Sequence, residues 1–209
     1  MARDDLSATA VKTADTSTVI SYVIDRNDGL ASVSGGWDAF ALANHGAALV
    51  STSIHGRPLW DFLTDATTIQ LYAAMLQGLR DGAPAIHFRF RCDAPDRRRL
   101  LAMDITAEAD RHVRFDVTSI IEQARDSVAL LDPDRRRDER ILVMCGWCKR
   151  SRLTDGTWVE TETAVQTMRL FEDVSLPDMS HGMCDMCHTN IARTFEDSPG
   201  DVTLGGFQP

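Results

Sequence analysis

The chain has 209 residues, 44% of them apolar and 25% charged, with a net charge of −9 at neutral pH. That composition fits one or two globular domains and excludes a fibrous or wholly disordered chain. The acidic balance works against nucleic acid and anionic membrane surfaces as partners. The first residues, MARDDLSATAVKTADTS, carry early acidic groups and no apolar core, unlike a secretory or transit leader. No apolar run approaches the roughly 18 to 20 residues of a membrane-spanning helix, so a cytoplasmic protein is expected.

Residues 1–17 are polar and aperiodic and are expected to form a flexible arm. Order is predicted to begin near Thr18, with a β-rich Val19 to Asp25, turn composition at Arg26-Asn27-Asp28-Gly29 and a second strand from Leu30 to Val33. Short helices follow around Trp37 to Asn44 and Pro58 to Leu63. A longer helix is predicted after Asp65, a good N-cap, because Ile69, Tyr72, Met75, Leu76 and Leu79 recur at helical spacing until Gly82 and Pro84.

Three alternating strands come next. Ile86, Phe88, Phe90 and Cys92 share one face against His87, Arg89, Arg91 and Asp93, while Leu101, Met103, Ile105 and then Val113, Phe115, Val117 repeat the pattern. Cys92 is read as a buried, unreactive thiol. The outward His87 and His112 are poorly placed as haem ligands, and His45 and His55 in turn-like segments are read as surface histidines. Two strands, a group of helices and three antiparallel strands is the element order of a PAS domain. The segments Trp37 to Asn44, Gly56 to Phe62 and Phe88 to Pro95 resemble a PAS-like subgroup of bacterial signalling proteins over residues 18–120. The resemblance implies an α+β fold with an antiparallel sheet, a role in sensing a small ligand or docking a partner, and homodimer formation through the PAS-like part. A light-sensor flavin cysteine motif is lacking, and haem or flavin remains open.

Residues 121–140, rich in both Arg and Asp, read as a charged, solvated linker between domains. Beyond it, residues 141–195 hold two Cys-x-x-Cys pairs, Cys145/Cys148 and Cys184/Cys187, separated by a Gly156-Thr157-Trp158 turn and a helix bearing Val165, Met168 and Phe171. Two intervening residues let both sulfurs of a pair reach one tetrahedral ion at about 2.3 Å, and two pairs complete a zinc shell. His181 is an alternative fourth ligand or a hydrogen-bonding neighbour of the shell. Iron–sulfur binding uses the same ligands, and a thiol-based redox switch is the second reading of the four cysteines. Cys184-Asp185-Met186-Cys187-His188 also fits the haem-attachment pattern, but that leaves Cys145 and Cys148 without a role.

Cys-x-x-Cys-Lys-Arg at 145–150, Asp155-Gly156-x-Trp158 and Ser180-His181-Gly182-x-Cys184-x-x-Cys187 together resemble a small cysteine module that follows sensor domains in bacterial signalling chains. No catalytic motif is found, so no enzymatic activity is predicted. The expected partner is a protein of a signalling pathway. A third reading, zinc-assisted DNA binding, draws on Lys149-Arg150-Ser151-Arg152 and Arg135 to Arg137. Residues 196–209 read as a flexible tail.

Overall fold

The computed structural model describes residues 19–196, and side chains within 20–191. The predicted arm at 1–17 and the predicted tail, apart from Glu196, lie outside the described residues. Strands β1 (Val19–Ile24) and β2 (Leu30–Val33) form the expected hairpin. Its turn is held by Asp25, whose carboxylate accepts the Asn27 and Gly29 N–H groups at 2.7 and 3.0 Å. Asp28 sits there at φ 65°, a left-handed conformation that Asp tolerates.

Helices α1 (Trp37–Ala43) and α2 (Ser51–Ile54) are short, and a 3-10 turn covers Leu59–Phe62. Helix α3 (Ala66–Arg80) follows the predicted pattern: Asp65 caps it through the Thr68 N–H at 2.8 Å, and Tyr72, Met75, Leu76 and Leu79 are buried. Strands β3 (Ile86–Arg91), β4 (Arg97–Ala107) and β5 (Val113–Ala124) complete an antiparallel sheet in the order β2-β1-β5-β4-β3. The first and last strands, β1 and β5, thus pair with each other inside the sheet, while β2 and β3 occupy its edges. Phe88, Met103, Ile105, Val113 and Phe115 face α3 from this sheet, with Phe115 stacked on Tyr22 at 4.4 Å between centroids.

A second sheet, ordered β8-β7-β6-β9, is built from β6 (Arg137–Cys145), β7 (Ser151–Arg152), β8 (Trp158–Val159) and β9 (Leu176–Gly182). Strands β6 and β9 run parallel, which requires a crossover; β7, β8 and α4 (Thr161–Thr167) supply it. Helix α5 (Asp185–Glu196) follows β9. Among the described residues, no helix is long and apolar enough to cross a membrane.

Three sequence expectations change here. The span 121–140 is not a solvated connector: β5 runs to Ala124, β6 begins at Arg137, Leu130 is 1% exposed, and Val128 and Leu130 pack with Leu142, Leu170 and Leu176 in a second core. Its charges are used locally, with Arg137 donating to the Leu130, Asp132 and Pro177 carbonyls. The helix expected to carry Val165, Met168 and Phe171 stops early. Arg169 takes a left-handed φ of 56°, which turns the chain so that Leu170 is buried and Phe171 is exposed. Arg91 and Asp93, placed on an outward strand face by alternation, are buried because the second half of the chain covers that end of the sheet.

Candidate metal centre

The period-2 pattern of β6 sends Leu142 and Met144 inward and leaves Ile141 exposed, which delivers Cys145 to the strand's buried end. There the chain folds back on itself: the Cys145 N–H bonds to the Arg150 carbonyl at 2.8 Å and the Lys149 N–H to the Cys145 carbonyl at 3.0 Å. Lys149 closes this knuckle at φ 60°. Thr161, fully buried at the start of α4, donates its hydroxyl to the Lys149 carbonyl at 2.8 Å.

The second pair is shaped by a helix start. Cys184 precedes α5, and its Sγ accepts the Cys187 N–H at 3.5 Å, the position of a side chain capping a first turn. A thiolate there also meets the positive end of the helix dipole. Because β6 and β9 are parallel neighbours, both knuckles emerge at the same end: Cys145 pairs with Gly182, and the Gly146 N–H bonds to the Gly182 carbonyl at 2.9 Å.

The result is one cluster. The four Sγ atoms of Cys145, Cys148, Cys184 and Cys187 lie within 4.8 Å of one another, with Cys148 and Cys184 3.7 Å apart. A tetrahedron of sulfurs each about 2.3 Å from a central ion has edges of about 3.8 Å, so the donor set and its spacing fit a thiophilic cation. All five cysteines of the chain are unbridged, and a 3.7 Å separation is far from a sulfur–sulfur bond of about 2.05 Å. The Cys184 N–H also points at the Cys145 Sγ, at 3.5 Å, giving that sulfur a backbone donor.

Four thiols this close cannot ionise independently. Donation from Cys148, then from Cys184 and Cys187, holds Cys145 well below an ordinary thiol, while Cys187 is pushed far up, first by Cys145 and then by the other two. A divalent ion at the centre relieves that repulsion by replacing shared protons with a positive charge.

His181 lies on β9, paired in register with Met144 and exposed; it is not a member of the four-sulfur group. Cys92 is half-buried one residue past β3, where its carbonyl accepts the Arg99 guanidinium at 2.8 Å. His45 and His55 are exposed, and His87 pairs with Asp104. In the basic run, Arg150 pairs with Glu160 at 3.4 Å, Ser151 is fully buried, and Arg152 lies over the Trp158 ring.

Trp147 is the residue that spacing alone did not single out. It occupies the gap between two ligands, yet it is 6% exposed and inserts into the main core, 4.7 Å from Phe88 and 6.4 Å from Tyr72 between ring centroids. Its carbonyl accepts the Arg91 N–H at 2.8 Å, which joins the knuckle to the end of β3. The available signal was the residue type: a large aromatic ring between two ligands has to be buried somewhere. Comparison with protein-family models, with curated proteins and with solved structures gives no match.

Proposed function

We propose that the protein is a regulatory, non-enzymatic signalling protein in which a PAS-like sensing or docking domain is coupled to a zinc-held cysteine module that engages a partner protein in the cytoplasm. The observation that carries this reading is the four-sulfur cluster packed, through Trp147, onto the same core that lies beneath α3. The sheet order β2-β1-β5-β4-β3 with helices inserted between β2 and β3 supports the PAS-like part. Zinc suits the centre because four thiolates in a tetrahedral arrangement fill its shell and leave no open position for chemistry, the mark of a structural ion. Buried knuckles stitched by backbone bonds support the same role.

Metal analysis of tag-free protein should return one zinc per chain, with a colourless spectrum that separates it from iron–sulfur, haem and flavin. Cys145→Ser should lose that zinc and most of the stability of residues 137–196, on the order of several kcal/mol. Full zinc and an unchanged melting temperature in that variant would remove the assignment.

A further inference from the structure

A cavity of about 400 Å³ lies at the seam between the α3 side of the first sheet and the first cysteine knuckle. That volume is within the roughly 300 to 1,000 Å³ of small-molecule sites. Neither half of the chain forms it alone: Phe62, Tyr72, Phe88 and Phe90 line it from one side, Trp147 and Lys149 from the other. The apolar lining is therefore almost entirely aromatic. Phe88 and Phe90 stand 6.1 Å apart, and Trp147 leans over Phe88 at 55°, a set of ring faces and edges suited to a flat ring.

The polar groups at this cavity have unequal commitments. Asp65 commits its Oδ2 to the N–H and the hydroxyl of Thr68, both at 2.8 Å, while capping α3. The Lys149 ammonium donates only to the Gly146 carbonyl of its own knuckle, at 3.1 Å. Among the described residues no ion pair joins Lys149 to a carboxylate, whereas its neighbour Arg150 is paired with Glu160 at 3.4 Å. A half-buried ammonium with unspent donors beside an aromatic recess is what an anionic group would satisfy.

We infer that this composite cavity binds a small aromatic acid, its ring among Phe88, Phe90 and Trp147 and its carboxylate or equivalent anion at Lys149. The site does not depend on the PAS-like identity of the first domain. It deepens the proposed function in one respect, because it rests on the metal-held knuckle to position Trp147 and Lys149. Cys148 lies between those two residues in sequence, so ligand occupancy and metal retention are linked, each favouring the other.

The test is calorimetric titration of the full metal-loaded chain with benzoate, phenylacetate and indole-3-acetate, using benzamide and benzylamine as neutral and cationic counterparts, and with metal quantified in every sample. At least one acid should bind, and at least tenfold more tightly than benzamide or benzylamine. Lys149→Met should weaken the acid about tenfold or more while Lys149→Arg restores most of the affinity. Phe90→Ala, on β3 and outside both cysteine knuckles, should weaken the acid with metal content unchanged, and bound acid should slow metal loss to a chelator. No acid binding up to millimolar concentration, equal binding of acid and amide, or parental affinity in Lys149→Met would overturn the inference. If the purified chain holds no metal, the four-thiolate reading fails separately, and the same titration on that protein still decides the cavity.

Discussion

Arg91 keeps only 4% of its side chain exposed and is held by Asp93 and, at 2.6 Å, by Glu160. Arg125, 9% exposed, extends the network to Glu162 at 2.8 Å, and Arg98 reaches the same carboxylate at 2.9 Å. A guanidinium desolvated this far is tolerable only while its carboxylates stay in place, so removing one partner costs more than the pair is worth. Glu160→Ala should destabilise the chain by about 3 kcal/mol, whereas cutting the exposed pair Arg57–Asp61 with Asp61→Ala should cost under about 1 kcal/mol. Chemical denaturation of the two variants side by side checks the contrast. Asp25 supplies a pH signature. N–H donation from Gly29, then Asn27, holds its carboxyl below the usual range. Its folded value is the lower one, so its contribution is complete above the unfolded value of about 4 and disappears as pH falls through the folded value. The stability gap between the parent and Asp25→Ala should therefore narrow as the pH falls below about 4 in denaturation midpoints, with no comparable change from pH 7 to pH 5.

At the scale of elements, periodicity and caps were legible wherever one element met one neighbour. Asp65 and the Tyr72, Met75, Leu76, Leu79 stripe define α3, and alternation defines the inner faces of β3, β4 and β5. The clustering of the cysteines was legible too, because a two-residue spacing has few geometric outcomes. What escaped were the other contacts between distant segments, those that no ligand motif announces. Alternation at Arg91 identifies a strand face but not that Glu160, 69 residues later, covers it. Charge density over 121–140 looked solvated because local composition cannot show that Val128 and Leu130 meet Leu142 and Leu170. The break in α4 depends on one left-handed residue, Arg169, whose type gives little hint of it.

For the whole molecule, the shared core matters most. Phe88, Tyr72, Trp147, Cys145, Cys184 and Ile191 belong to one buried cluster, so the five-stranded sheet and the cysteine knuckles are packed as a continuous body. A single cooperative unfolding transition is the expected outcome for the metal-loaded protein by calorimetry and by tryptophan fluorescence. Trp147→Ala should remove about 3 to 5 kcal/mol of packing and split that transition into two, with the chelator-sensitive step separating from the rest.

The parallel pairing of β6 and β9 has a consequence for the unfolded chain. It gathers at one point two knuckles whose nearest sulfurs belong to residues 36 positions apart. An ion gripping all four sulfurs therefore closes a loop of that length, and by the chain-entropy relation used for covalent cross-links such a closure is worth about 4 kcal/mol. Unlike a disulfide, such a tie would be released by a chelator or an oxidant and remade without a change of partner sulfur. With the proposed ion in place, availability of metal would set the conformational freedom of the whole segment from β7 to β9, including the strand edge and the exposed Phe171 and Val174 that it carries.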